Sequence, residues 1–183
     1  MAEFIPRLNN KGIFTQLDAG GNFVGRTADR GVAEGSKSNI PVARVLLFRN
    51  TFRGKEVLLQ RRGDKPLWPG LLDASVVETA QMNAQDPWEP EHPRDTAERG
   101  LREELGIETI VFDSKSHNDT WEGEDYPMQS FITTYTALYN GPFSPSDEVA
   151  EVEWIRVRKL KKEVKTNPDK FTPSLVEFVT NHL

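Results

Sequence analysis

Residues 91–107, Glu-His-Pro-Arg-Asp-Thr-Ala-Glu-Arg-Gly-Leu-Arg-Glu-Glu-Leu-Gly-Ile, constrain the fold more than any other stretch of the chain. The spacing predicts a short helix. Pro93 suits the first turn, where a missing N–H costs nothing, and Asp95 favours the positive end of the helix dipole. Ala97, Leu101 and Leu105 recur every four residues and form one apolar stripe. Gly106 stands where a left-handed C-terminal cap is expected. Away from the stripe, Arg99 and Glu103 are one turn apart, and Glu104 lies beside Glu103. Two adjacent carboxylates at one helix end make a poor apolar surface but a good site for a hard divalent cation.

The flanking sequence supplies strands for that stripe to pack on. Pro41-Val-Ala-Arg-Val-Leu-Leu-Phe-Arg has the apolar density of a central strand, and Glu56-Val-Leu-Leu-Gln-Arg-Arg matches it across residues 50–55. Residues 13–18 and 19–25 read as two short strands about a Gly-rich turn, and residues 27–39 as a loop. Further strands are expected to begin at Glu108-Thr-Ile-Val-Phe-Asp and to run through residues 129–139 and 145–156. Residues 114–124 read as a long polar loop, and two prolines in 80–90 argue against regular structure there. Trp88 in that insertion either pins the loop or stacks on a base. The basic run 156–165 is interleaved with apolar residues and follows an acidic segment, so it reads as a solvated helix start rather than a nucleic-acid footprint. Residues 171–183 form an amphipathic helix whose Leu175, Val176, Phe178, Val179 and Leu183 face the core. This order implies an α/β protein, a mixed sheet between helices, with one domain at 13–183 after a tail at 1–12.

A chain of 183 residues is large enough for one real core. The formal charge of -5 offers no general attraction to nucleic acid or an anionic membrane. The absence of cysteine excludes disulfides, thiolate metal sites and thiol nucleophiles. The first residues lack a signal-like apolar run and no stretch approaches the roughly 20 apolar residues of a span, so a cytoplasmic protein is expected. A homodimer is compatible with the sequence, which has no readable code for it.

The spacing in residues 91–107 resembles the Nudix box, Gly-x5-Glu-x7-Arg-Glu-apolar-x-Glu-Glu-x-Gly-apolar. Glu91, Arg99, Leu101, Glu103, Glu104, Gly106 and Ile107 fall in register, while Gln85 replaces the first Gly and Gly100 replaces the Glu after the arginine. Trp68-Pro-Gly-x-x-Asp-x-Ser75 is similar to the segment that leads into the box in the isopentenyl-diphosphate-isomerase-like branch. The resemblance implies a Nudix-type α/β/α sandwich and a Mg2+- or Mn2+-dependent hydrolase of nucleoside di- or triphosphates or related diphosphates. It implies metal ligands at Glu103, Glu104 and Glu91, with Arg99 orienting a carboxylate such as Glu91. Arg61, Arg62 and Lys65 would meet the diphosphate, or would simply be solvated at a strand end. The Glu missing at 100 binds metal or acts as base in many members. Glu78, Glu122 and Glu124 are the candidates to replace it, although an ordinary exposed acid is the commoner reading of each. The alternative is a Nudix-fold module that binds a nucleotide or protein partner and turns over poorly. Isomerase activity is disfavoured, because the resemblance ties it to an active-site cysteine.

Overall fold

The computed structural model describes residues 14–17, 23–27, 39–65, 67–81, 90–114, 116–122 and 129–183. The expected tail at 1–12, Gln85, Trp88 and Glu124 lie outside them.

The long strand β3 (Asn39–Thr51) organises the sheet. It pairs antiparallel with β4 (Gly54–Arg62) and β6 (Val76–Thr79), and parallel with β8 (Gln129–Leu138) from Asn39↔Gln129 to Phe48↔Leu138. The hairpin β1 (Phe14–Leu17) and β2 (Phe23–Thr27) forms as expected and joins through Leu17↔Asn39. On the far side β4 carries β5 (Leu72–Asp73) and β9 (Val149–Arg156).

The period-2 alternation of β3 creates two apolar layers. Ala43, Val45 and Leu47 point to one face and pack with Ala97, Leu101 and Leu105 of α1 (Pro93–Leu105). Leu46 and Phe48 point to the other and pack with Leu160 and Val164 of α2 (Val157–Thr166) and Leu175, Phe178 and Val179 of α3 (Pro173–His182). The sheet is thus sandwiched between one helix and two. The α1 boundaries follow from local chemistry: Pro93 sits in the first turn, and the His92 side chain accepts from the Arg94 N–H. Gly106 closes the helix at φ 65° with its N–H on the Arg102 carbonyl.

One expectation is overturned. Residues 108–113 are not a strand, and β7 (His117–Trp121) lies instead within the expected polar loop. The apolar side chains Ile110 and Phe112 do pack on the α1 layer, but the backbone there reaches the sheet through Asp113 N–H to Thr136 O. The polar residues of β7 gain a full ladder against β8, from His117↔Thr134 to Trp121↔Ser130. An edge strand needs backbone partners more than apolar content, and that was invisible in the side-chain pattern.

Gly100 marks a close approach of α1 to the sheet. A Cβ there would stand 2.6 Å from Val76 Cγ1 and 2.9 Å from Glu78 Cβ. Alanine would improve helix propensity by about 1 kcal/mol, but overpacking against a buried β-branched side chain costs about 1–3 kcal/mol. Gly100→Ala should therefore lower the unfolding free energy in urea, and Gly100→Glu should lower it further. An unchanged or raised midpoint in either variant would show that the helix is free to lift away.

Candidate active site

Arg99 projects from α1 toward the end of β6 and is 8% exposed. Its Nη2 donates to Glu91 Oε2 at 2.9 Å and to the Thr79 carbonyl at 2.9 Å. Its Nη1 donates to Glu78 Oε1 at 2.9 Å and to Glu103 Oε2 at 3.4 Å. One guanidinium therefore holds acids from a strand, from the approach to the helix and from the helix itself. Burial would lower the Arg99 pKa, but the bonds from Glu91 and Glu78 outweigh it and the group is held more firmly protonated than usual.

The four acids have different surroundings. Glu91 is engaged by Arg99, by the Gln81 N–H and by the Thr96 hydroxyl, so its oxygens serve the local structure. Glu103 is half exposed and, among the described residues, has only the long Arg99 contact. Glu78 pairs through Oε1, and its Oε2 accepts no hydrogen bond among the described residues. Glu104 is buried: Gln60 Nε2 reaches its Oε2 at 2.9 Å and Lys65 Nζ its Oε1 at 2.9 Å. Lys65 also bridges to Glu148 at 3.1 Å. Burial pushes both Glu104 and Glu78 upward from the ordinary carboxylate value, against the pull of Lys65 on the first and Arg99 on the second. Glu78 adds to the rise at Glu104, and Glu103 adds to it at Glu78, so the three acids form one electrostatic group.

The structure divides the expected phosphate-binding trio. Lys65 joins the acids. Arg62 is tied to Asp73 at 3.2 Å and to the Leu67 carbonyl, and Arg61 to the Gly70 carbonyl and Glu151. Both arginines thereby brace the Trp68-Pro-Gly turn, where Trp68 takes a positive φ of 49°. Glu122 lies exposed just beyond β7. Sequence reasoning missed Gln60 and Glu148. Gln60 had a legible signal, a polar residue directly after the apolar run Val57-Leu-Leu of β4, whereas Glu148 reaches the site through chain return alone.

Glu78, Glu103 and Glu104 offer hard carboxylate oxygens of the kind Mg2+ or Mn2+ takes, and the buried Gln60 Oε1 near Glu104 has no hydrogen-bond partner among the described residues. Lys65 supplies the positive charge that Glu104 faces. In metal-free protein the raised Glu104 and Glu78 hold protons more tightly when folded than when unfolded. Their contribution to stability is present at low pH and is lost as pH rises from about 4.5 through their raised values. The double variant Glu78→Gln/Glu104→Gln should show a flatter stability profile across that range in chelator-treated urea titrations. A profile superimposable on that of the wild type would exclude the raised values.

The family model for the NUDIX domain matches residues 39–175. An isopentenyl-diphosphate Delta-isomerase from Dinoroseobacter shibae is 34% identical over 140 residues, covering 71% of this chain and 73% of that protein. A crystal structure from Deinococcus radiodurans superposes with a TM-score of 0.68 at 19% identity, covering 91% of this chain and 96% of that one. The NUDIX domain of Shewanella oneidensis NrtR, solved with ADP ribose, gives a TM-score of 0.53 at 19% identity, covering 70% and 80%. The helix with its arginine-bound acids, the α/β/α sandwich around it and these likenesses together place the chain in the Nudix family, on the isopentenyl-diphosphate-isomerase-like branch.

Proposed function

We propose that this chain is a divalent-metal-dependent pyrophosphohydrolase acting on nucleoside di- or triphosphates or related diphosphates. The observation that carries the reading is Glu78, whose Cβ and Cγ lie against Gly100, where the box has lost its own acid, and whose carboxylate is held by Arg99. The helix gives up a side chain at 100, and the strand beneath supplies a carboxylate from the other side of the contact. Glu103 and Glu104 would hold Mg2+ or Mn2+, with Arg99 and Glu91 fixing the helix and strand around them. The metal, when bound, neutralises charge on the diphosphate and acidifies a water. Burial keeps Glu78 a better base than an exposed glutamate, and its Oε2 is the atom available to hold a proton. Lys65, whose ammonium lies beside Glu104, would offer a positive charge to a phosphate oxygen.

Two other readings have specific support. Both Glu104 oxygens are already hydrogen-bonded by protein donors, which favours a module that binds a nucleotide or a protein partner without turnover. The NrtR domain solved with ADP ribose has this fold. The name of the Dinoroseobacter relative suggests isomerisation of an isoprenoid diphosphate. That chemistry relies, by resemblance, on a cysteine absent from this chain, so what carries over is the diphosphate class of ligand.

A panel of nucleotides and isoprenoid diphosphates with Mg2+ or Mn2+, followed by phosphate and pyrophosphate release, separates these readings. Wild type should turn over at least one of them. Glu104→Gln and Glu78→Gln should each lose about 100-fold in kcat, equivalent to about 2.7 kcal/mol of barrier. Equal rates in wild type and Glu104→Gln would assign the signal to a contaminant. Metal-dependent binding without release would favour the module, and a rearranged product would favour the isomerase.

A further inference from the structure

On the face of the sheet opposite α1, the last turn of α3 meets the edge strand β7. His117 and Asp119 are two residues apart on β7 and share one face of the strand. His182 lies one turn beyond Phe178 on α3. Three ligating atoms converge there. His117 Nε2 is 2.9 Å from Asp119 Oδ1, His182 Nε2 is 3.3 Å from the same oxygen, and the two Nε2 atoms are 3.2 Å apart. We propose that His117, Asp119 and His182 form a second metal site, for a divalent transition ion and best suited to Zn2+, which clips the C-terminal helix to the edge of the sheet.

The donor chemistry favours a cation over a hydrogen-bond network. Two imidazole nitrogens and one carboxylate oxygen crowd one point; N–H groups on the two rings can serve the contacts to Asp119 but leave the two nitrogens facing each other at 3.2 Å. An ion with bonds of about 2.0–2.1 Å spaces tetrahedral ligand atoms about 3.3 Å apart, close to the separations seen, and satisfies all three at once. Two imidazoles with one carboxylate select a borderline transition ion over Mg2+, which prefers oxygen. The ring centroids are 4.0 Å apart, so both rings must open slightly to aim their lone pairs at one ion. Phe178 backs them, with its centroid 6.2 Å from that of His117 and 5.1 Å from that of His182, and limits that movement.

The surroundings agree in sign. The carbonyl end of α3 favours positive charge. Arg44 lines the same cavity as a competing cation, but Glu177 and Asp119 line it too. The two histidines are exposed, so an ion has a route in. Three protein ligands leave a fourth position for water.

Zn2+ titration against a chromogenic chelator tests the site in a Glu103→Gln/Glu104→Gln background, so that the acids of α1 do not contribute. One equivalent should bind, and Zn2+ should raise the melting temperature, as expected for an ion that binds only the folded chain. Adding His182→Ala or, separately, His117→Ala should weaken binding at least tenfold and abolish the rise. The metal-free melting temperature should stay within a few degrees of the background, since both side chains are on the surface. Co2+ should give a visible absorption band that each histidine variant loses. Stoichiometric binding retained within twofold in both variants would overturn the assignment, as would failure of the background protein to bind Zn2+ at all.

Discussion

The site depends on one guanidinium. Arg99 is nearly buried and gathers three glutamates that would otherwise repel one another beside an apolar core. Arginine suits this role because its planar fork directs several N–H groups to separate oxygens while remaining charged. The arrangement also joins the fold to the site. Glu78 and the Thr79 carbonyl end β6, Glu91 lies at the approach to α1, and Glu103 belongs to the helix, so Arg99 fastens helix to strand where the acids assemble. Truncating it would leave partly buried carboxylates without a counter-charge, a cost larger than that of a surface ion pair.

Gly100 and Glu78 make a matched pair on that frame. A glycine in mid-helix contradicts helix propensity, and the reason lies in the neighbour, since Val76 and Glu78 occupy the space a side chain would need. The variant in the box thus reads as an exchange between facing elements. The helix carries no carboxylate at 100, and the strand facing it carries Glu78, whose stem lies at that contact. Lys65 completes the balance by holding Glu104 and Glu148 together.

Much of this was legible in the sequence wherever a local pattern had one structural meaning. The stripe of Ala97, Leu101 and Leu105, the proline at the start of α1 and the glycine after it set the helix and its buried face. The apolar runs of β3 and β4 likewise fixed the centre of the sheet. What escaped depended on partners distant in the chain. The polar strand β7 exists because β8 offers it a ladder, and residues 108–113 were misread because apolar packing does not require strand pairing. Arg61 and Arg62 looked available for phosphate, yet both are spent on bracing the turn that follows. The cluster of His117, Asp119 and His182 spans 65 positions, with no motif spacing to announce it.

The central claim is that Glu78 belongs to the same physical unit as the acids of α1 because Arg99 couples them. A double-mutant cycle on unfolding free energy, with Arg99→Met and Glu78→Gln in metal-free protein, tests this without reference to any substrate. The account predicts a coupling of about 1 kcal/mol or more, with the double variant less destabilised than the sum of the singles. Additivity within about 0.3 kcal/mol would mean that the two side chains act independently, and the relocated carboxylate would lose its basis.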